Sequence, residues 1–242
     1  MSERPLEGRI VLVVGASRGL GAAVALEAAR RGARPVLLGR TRGALEELDD
    51  RIRALGGEAT LVRMDLSDAE SVDRLGPSLF ARFGRVDGFV FAAAELGTLA
   101  PLAHQDPGEV ARVVGTGALA FQRLVRTLEP LLKASDAARC VVVGDPIATV
   151  PRAYWGPYAA AKAALEAFAL GWADELERSS IRVVVAEPGP MATRLRRQAF
   201  PGERPDAQPA PEIYATAICE LLAPTSTRQG ERIALQPARS SA

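Results

Sequence analysis

The sequence predicts an α/β fold: an open, doubly wound parallel sheet of about seven strands with helices on both faces, built as a single domain over residues 1–242. Short β-branched runs alternate with longer helical patterns along the chain. The short runs are almost continuously apolar, as parallel strands are when helices cover both faces of their sheet. The apolar fraction of 48% and the charged fraction of 24% are ordinary for a globular protein and argue against disorder or a coiled coil.

The order of the elements follows from these patterns. The predicted strands are Ile10–Val14, Pro35–Leu38, Thr60–Val62, Phe89–Phe91, Cys140–Val143 and Arg182–Val185, with a weaker seventh at Glu231–Leu235. The predicted helices are Leu20–Arg31, Arg42–Leu55, Ala69–Phe83, Glu109–Leu132, Tyr158–Glu177 and Glu212–Leu222. Candidate helix caps are Thr41, Ser67 or Asp68, and Asp106 before Pro107. The proline-rich segment 188–211 has no clear period, so we expect a substrate loop or lid there, with an ordinary surface excursion as the alternative.

The charge balance excludes several classes of partner. Thirty basic residues face 29 acidic ones, and a net charge of +1 gives no reason to expect nucleic acid or an anionic membrane as a partner. No apolar run approaches the length of a membrane span. The two cysteines match neither a disulfide framework nor a zinc-site spacing, so no metal is expected. These observations predict a cytoplasmic protein.

A glycine-rich turn joins the first predicted strand to the first predicted helix. It reads Gly15-Ala16-Ser17-Arg18-Gly19-Leu20-Gly21. Glycines at a strand–helix junction let backbone N–H groups approach a pyrophosphate, and the helix dipole favours the same anion. The turn therefore predicts a dinucleotide site, although glycine can also serve a purely steric purpose there.

The end of the second predicted strand carries Arg40, about twenty residues beyond the glycine turn. An acidic residue at this place would accept hydrogen bonds from a ribose hydroxyl and would repel a 2′-phosphate. Guanidinium groups instead pair well with phosphate, and Arg18 lies within the turn itself. We therefore expect NADP(H) to be preferred over NAD(H). The alternative is that both arginines are merely solvated.

Four features occur in order along the whole chain: the Gly15-x-x-x-Gly19-x-Gly21 turn, Asp65, Tyr158-x-x-x-Lys162, and Pro188-Gly189 followed by Thr193. In this the chain resembles the short-chain dehydrogenase/reductase family of compact, single-domain Rossmann-fold enzymes. The resemblance implies an NAD(P)-dependent oxidoreductase acting on a small-molecule carbonyl or alcohol substrate. It also implies a homo-oligomer, a dimer or a tetramer, formed through the long helices that follow the fourth and fifth strands.

The resemblance also implies roles for the matched residues. Tyr158 would be the general acid/base, and Lys162, one helical turn further on, would contact the nicotinamide ribose and lower the pKa of Tyr158. Asp65 and Leu66 would meet the adenine, and Thr193 would hold the nicotinamide end or the phosphates. The residues that we expect to bind the cofactor are Gly15, Ser17, Arg18, Gly19, Leu20, Gly21, Arg40, Asp65, Leu66, Ala92, Ala93, Tyr158, Lys162, Pro188, Gly189 and Thr193.

Three family positions are not matched. The chain has Ala92-Ala93-Ala94 where the family usually has Asn-Ala-Gly, and Asp145 stands where the catalytic serine is expected, thirteen residues before Tyr158. The family's helical asparagine falls on Gly117, or on Gly115 if the alignment slips, and the chain contains no asparagine at all. An ionised Asp145 cannot donate a hydrogen bond to a developing oxyanion, and losing one such donor typically costs about 10²–10³ in rate.

Three functional hypotheses follow. The first is an NADP(H)-dependent oxidoreductase in which Tyr158 and Lys162 act, with Asp145 or a bound water replacing the serine. The second is a catalytically impaired, dinucleotide-binding regulatory protein on the same fold. The third is a different reaction in which Asp145 acts as an acid. Tyr154, Trp155 and Phe200 are candidates to line an apolar substrate pocket with Met191 in its lid, and simple packing between loop and helix is the alternative. The arginine-rich run 194–197 would either attract an anionic substrate or remain solvated, and His104 is a further catalytic candidate.

Overall fold

The computed structural model describes residues 4–236, so residues 1–3 and 237–242 of the predicted domain lie outside the described residues. The strands are β1 (Ile10–Val14), β2 (Arg34–Gly39), β3 (Thr60–Arg63), β4 (Gly88–Phe91), β5 (Arg139–Val143), β6 (Arg182–Glu187) and β7 (Arg232–Ala234). The helices are α1 (Gly19–Arg30), α2 (Arg42–Ala54), α3 (Ala69–Phe83), α4 (Pro107–Val114), α5 (Ala120–Lys133), α6 (Gly156–Glu175), α7 (Arg194–Ala199) and α8 (Glu212–Leu221).

The seven strands form one parallel sheet in the order β3-β2-β1-β4-β5-β6-β7. The predicted doubly wound α/β fold is confirmed. From β1 the chain builds outward through β2 to β3, and then returns to place β4 on the other side of β1. In sheets of this kind, ligands bind outside the carboxyl ends of the strands, where the strand order reverses. We therefore expect a ligand site at the loops that follow β1 and β4.

Helices bury both faces of the sheet, which explains the continuous apolar character of the strands. On one face Phe89 and Phe91 of β4 pack against Phe121 of α5, and the rings of Phe121 and Trp172 of α6 have centroids 6.2 Å apart. On the other face α1, α2 and α8 cover the alternate strand residues, such as Val13. The edge strands β3 and β7 are only partly covered.

Two features depart from the predicted elements. The single helix expected over 109–132 is a helical path over 107–133 that contains a wide π-helical turn, Gly115–Leu119, between α4 and α5. The segment 188–211 contains the short helix α7, and the Thr193 hydroxyl accepts a hydrogen bond from the Arg196 N–H at 3.2 Å to begin it. A helix of six residues is too short to produce a detectable apolar period.

The candidate helix caps differ in whether they form a capping hydrogen bond. Asp68 and Asp106 each accept a hydrogen bond from the backbone N–H three residues ahead, as a helix N-cap does. The Thr41 hydroxyl instead accepts a bond from the Arg18 guanidinium at 3.5 Å. Within residues 4–236, none of the helices combines the length and the apolar character that crossing a bilayer requires.

Helices α3 and α5 cross in close contact at Gly76. The Gly76 N–H donates to the Thr127 hydroxyl oxygen at 3.2 Å, and that hydroxyl donates to the Asp73 carbonyl at 3.0 Å. A Cβ atom at Gly76 would stand 2.2 Å from the Thr127 carbonyl oxygen, which belongs to the backbone and cannot swing aside. The two helices can therefore approach this closely only because residue 76 has no side chain.

We expect Gly76→Ala to lower the free energy of unfolding by about 1–3 kcal/mol, because the helices must separate to admit the methyl group. Urea denaturation at a fixed protein concentration measures the change. Gly43→Ala on α2 is the matched control, since the new Cβ meets no heavy atom within 4 Å there. Equal stability of the two variants would contradict close packing at Gly76.

Candidate functional site

A cavity of about 940 Å³ opens at the carboxyl ends of the strands. Residues that follow β1 to β6 line it, so it lies where the strand order predicts a ligand site. Its volume is near the upper end of the roughly 300–1,000 Å³ that is usual for ligand pockets. Of the predicted site residues, it brings together Gly15, Ser17, Arg18, Gly19, Leu20, Gly21, Arg40, Leu66, Ala92, Ala93, Asp145, Tyr158, Lys162, Pro188, Gly189 and Thr193.

The glycine turn lines the cavity and packs so closely against neighbouring backbone that Gly15 and Gly21 have no room for side chains. Gly15 has a φ of +87°, and a Cβ there would stand 2.9 Å from the Ala93 backbone nitrogen. A Cβ at Gly21 would stand 2.3 Å from the Gly15 carbonyl oxygen. Gly19, with a φ of +55°, begins α1 beneath the side chain of Thr193. The turn thus presents bare backbone and a helix N-terminus to the cavity, which fits the phosphates of a dinucleotide.

Asp65 is the one predicted site residue that the cavity lining omits. Its carboxylate accepts hydrogen bonds from the N–H and the hydroxyl of Ser67 at 2.9 and 2.8 Å. These bonds hold the pKa of Asp65 below its ordinary value, and the charge of Arg40 lowers that pKa further. The neighbours Met64 and Leu66 line the cavity instead. A contact of Asp65 with adenine therefore stays a prediction.

Tyr158 and Asp145 form a direct hydrogen bond inside the cavity. The Tyr158 hydroxyl donates to Oδ2 of Asp145 at 3.0 Å, and Oδ1 accepts from the Ile147 N–H at 2.9 Å. Burial raises the pKa of Tyr158 well above 10, and the adjacent Asp145 carboxylate raises it further. A tyrosinate would lose solvation and stand beside a like charge, so the phenol keeps its proton.

Lys162 lies one turn beyond Tyr158 on α6, and its side chain is buried. Its ammonium group donates to the Val143 carbonyl at 2.7 Å and lies 5.9 Å from the centre of the Tyr158 ring. Burial lowers the pKa of Lys162, while the charges of Asp145 and Glu166 oppose that shift. The lysine therefore places a positive charge beneath the tyrosine, as the spacing of four residues predicts.

Glu166 is a site residue that the sequence reasoning missed. Its carboxylate has no exposed surface; Oε1 accepts from the Asp145 N–H at 3.1 Å, and Oε2 accepts from Arg232 Nε of β7 at 2.8 Å. It thereby fixes the backbone that carries Asp145. A signal was present, because Tyr158, Lys162 and Glu166 follow one another at intervals of four residues on an alanine-rich helix.

The position expected to hold an asparagine is open. Gly117 lies in the π-helical turn, and a Cβ there would stand 3.6 Å from Cβ of Ala161. A void of about 10 Å³ lies among Gly117, Tyr158 and Lys162. This is close to the smallest volume that holds one water molecule, at roughly 10–15 Å³.

An aromatic wall continues from Tyr158 toward the segment 188–211. The Trp155 ring lies 5.9 Å from that of Tyr158 and 5.8 Å from that of Phe200, measured between centroids. The Arg196 guanidinium lies 3.8 Å from the centre of the Phe200 ring and forms two hydrogen bonds to Glu203, which lower the pKa of Glu203 to about 2. The wall is thus held by an ion pair within the segment.

Some of the remaining residues that the sequence suggested as substrate or catalytic contacts line the cavity, and others do not. Met191 and Arg194 line the cavity, whereas Arg197 lies outside its lining. Tyr154 does not line it either: its side chain is exposed and its φ is +73°, so the expected contact at this position is wrong. His104 lies in an exposed turn away from the cavity.

Comparison with known proteins gives consistent results. The sequence profile described as short chain dehydrogenase matches residues 9–204. The oxidoreductase YciK of Escherichia coli (strain K12) is 33% identical over 238 residues, covering 97% of this chain and 94% of its own. A short chain dehydrogenase structure from Pseudomonas syringae superposes with a TM-score of 0.94 at 34% identity, covering 97% of both chains. A short chain dehydrogenase from Escherichia coli CFT073, complexed with NADPH, gives 0.93 at 32% identity, covering 98% of this chain and 100% of that one.

We expect Asp145→Asn to lower the pKa of Tyr158, because the amide removes the negative charge that opposes the tyrosinate. The ultraviolet difference absorbance of tyrosinate, recorded during a pH titration, measures this shift after subtraction of the same titration of Tyr158→Phe. Asp50→Asn, at an exposed carboxylate on α2, is the matched control. A titration that Asp145→Asn leaves unchanged would show that the carboxylate does not act on Tyr158.

Proposed function

The chain belongs to the short chain dehydrogenase family, and on this premise we propose that it is an NADP(H)-dependent oxidoreductase that transfers hydride between the nicotinamide and a carbonyl or alcohol substrate. The observation that carries the proposal is the meeting of two groups in one cavity. The Gly15–Gly21 turn and the Tyr158–Lys162 pair of α6 both line it. A phosphate cradle and a proton donor within one cavity are what this reaction needs.

The residues present fit a dinucleotide. The glycine turn would hold the pyrophosphate, Leu66 would border the adenine, and Pro188-Gly189 with Thr193 would border the nicotinamide end. When bound, the dinucleotide supplies or accepts two electrons and a hydrogen. The chain itself binds and orients the reactants and carries the proton.

Two arginines support NADP(H) over NAD(H). Arg40 lines the cavity at the end of β2, where a ribose phosphate would lie, and Arg18 lines it within the turn. The Arg18 guanidinium is also 3.5 Å from the Thr41 hydroxyl, so it points toward the same end of β2. The similar Escherichia coli CFT073 structure contains NADPH, which agrees with this assignment.

Tyr158 is the proposed proton donor. The pKa of its hydroxyl is raised by burial and by Asp145, so the phenol carries its proton throughout the neutral range. This suits donation to a substrate that is being reduced, and it opposes the tyrosinate that oxidation of an alcohol requires. We therefore propose that reduction is the favoured direction. Lys162 offsets part of the negative charge that the phenolate would bring to the site.

Asp145 also supports a second candidate function. Its Oδ2 already accepts the hydrogen bond that the Tyr158 hydroxyl donates, and its carboxylate cannot stabilise an oxyanion. A dinucleotide-binding regulatory protein with impaired catalysis would retain the cradle and show the same bond. Binding of NADPH without turnover of any substrate would favour that candidate.

The assembly and the lid are further parts of the proposal. Leu119 of the π-helical turn and Phe168 of α6 are exposed apolar side chains on the two long helices expected to form a homo-oligomer.

We propose that segment 188–211 covers the substrate. Its two ends are joined by the Ala192 N–H, which donates to the Pro209 carbonyl at 2.8 Å.

We expect NADPH to bind more tightly than NADH. We also expect Arg40→Ala to weaken NADPH binding by about 10–100-fold, since a hydrogen bond to a charged group contributes about 1.5–3 kcal/mol. Calorimetric titration measures both dissociation constants. Arg51→Ala, at an exposed arginine on α2, is the control. Tighter binding of NADH by the unaltered protein would refute the cofactor assignment.

Measuring turnover tests whether the protein has oxidoreductase activity. At high protein concentration, an aldehyde and ketone panel should consume NADPH slowly, because the oxyanion lacks its usual donor. Tyr158→Phe should lower that rate by about 10²–10⁴-fold, the usual contribution of a general acid. NADPH absorbance measures the rate, and unchanged NADPH affinity of the variant shows that its site is intact. Activity that survives the loss of the Tyr158 hydroxyl would contradict its role.

A further inference from the structure

Hydrogen-bond acceptors dominate the place where a substrate would meet Tyr158. Both oxygens of the Asp145 carboxylate are there, and the Tyr158 oxygen has lone pairs beyond the proton that it donates. An incoming carbonyl oxygen is also an acceptor, and its charge becomes more negative as it is reduced. It would meet a carboxylate at the point where it needs a donor.

The hydrogen-bond donors of Tyr158 and of the loop that carries Asp145 are already engaged. The Tyr158 hydroxyl and the Ile147 N–H donate to Asp145, and the Asp145 N–H donates to the buried Glu166. The Thr149 hydroxyl, the nearest one in sequence to Asp145, donates to a main-chain carbonyl at 3.0 Å. Reducing a carbonyl here requires Tyr158 to abandon Asp145 and leaves the carboxylate facing an alkoxide. A positively charged substrate group needs no hydrogen-bond donor, so Tyr158 keeps its bond to Asp145 and no alkoxide forms beside the carboxylate.

The walls beside Asp145 suit an organic cation. Trp155 and Tyr158 meet edge to face next to the carboxylate, and Phe200 extends the same wall. Aromatic faces attract cations, and they exclude the water that would screen the charge of Asp145. One carboxylate within an aromatic lining therefore favours a cation with apolar substituents.

The other charged side chains near Asp145 do not remove this preference for an organic cation. Arg112 is paired with Glu95 and Arg196 is held in its own ion pair, while Arg152 and Arg194 are exposed where solvent screens them. The charges that face Tyr158 are those of the partly exposed Asp145, on the loop after β5, and of the buried Lys162 and Glu166 on α6 itself. Lys162 is hydrogen-bonded to the Val143 carbonyl, and Glu166 is bonded to Arg232.

We propose that this site takes a C=N substrate in its cationic iminium form in preference to a carbonyl, with Asp145 as the counter-ion of the reacting group. The proposal rests on the proposed NADP(H) function and names the substrate class of the same site. Asp145 touches the reacting atoms in this assignment, while Glu166 acts only by holding the backbone of Asp145.

The step balances without a further reactant. The iminium carbon accepts a hydride, one proton with two electrons, that the reduced nicotinamide supplies by breaking its own C–H bond. A C–H bond forms on the substrate, and the π pair of the C=N bond becomes the nitrogen lone pair. The substrate is reduced to an amine and the dinucleotide is oxidised. No oxyanion forms, so no oxyanion donor is needed. A neutral imine takes its proton from solvent before it enters the site, and the resulting cation pairs with Asp145 while Tyr158 keeps its own proton.

Two bicyclic probes of similar size test the preference. We expect kcat/KM for NADPH-dependent reduction of the N-methyl dihydroisoquinolinium cation to exceed that for tetralone by at least about tenfold, the effect of one hydrogen-bonded charge. Asp145→Ser should reverse this order, because it removes the anion and restores a donor. Asp50→Asn should leave the order unchanged. Preferential reduction of the ketone by the unaltered protein would overturn the proposal while leaving the oxidoreductase function standing.

Equilibrium binding separates this proposal from any failure of turnover. Calorimetry with NADP⁺ present, and again without it, compares the N-methyl tetrahydroisoquinolinium cation with neutral isochroman. We expect the cation to bind about 10–100-fold more tightly and Asp145→Asn to abolish the difference. Equal binding, or a preference that survives in Asp145→Asn, would refute the role of Asp145 even in a protein that reduces nothing. Absent NADPH binding would instead refute the proposed function.

Discussion

The convergence of all strand ends at one edge of a parallel sheet is the constraint on which the rest of this structure depends. Because β1 and β4 are neighbours with their connections leaving in opposite directions, their loops part and leave a crevice between them. The glycine turn after β1 can then lie against the Ala92-Ala93 backbone after β4. Of the residues predicted to bind the dinucleotide, all but Asp65 line the cavity at that crevice.

Buried charge is the second determinant of the site. Asp145, Lys162, Glu166 and Arg232 alternate in sign along a path from the cavity to the edge strand β7. Lys162 and Glu166 are the buried members, and each has hydrogen bonds or an opposite charge that offset the cost of removing it from water. The same arrangement disfavours a tyrosinate at Tyr158. The chemistry of the site is therefore set by a carboxylate whose surroundings are built to hold it.

Most of the fold could be predicted because its signals are local. Buried parallel strands are apolar throughout, and long amphipathic helices repeat their pattern over several turns. The elements that the sequence did not predict lack a repeated pattern of this kind. The helix α7 is too short to repeat a pattern, and the π-helical turn at Gly115–Leu119 differs from α-helix by one residue of winding. The contact proposed for Tyr154 failed because backbone conformation, not residue type, directs that side chain.

The sequence by itself determined the α/β sheet, the position of the glycine turn, the Tyr158–Lys162 spacing, and the replacement of serine by Asp145. Each of these depends on residue type and on separation along the chain. Only the tertiary structure decided that Asp145 is bonded to Tyr158, that Glu166 and Arg232 hold Asp145 in place, and that Asp65 turns to Ser67. The contacts of Asp145 and Glu166 join residues far apart in the chain, whereas the contact of Asp65 is local and depends on the conformation of its loop. Hydrogen bonds and charges act through space, over distances that the order of residues does not encode.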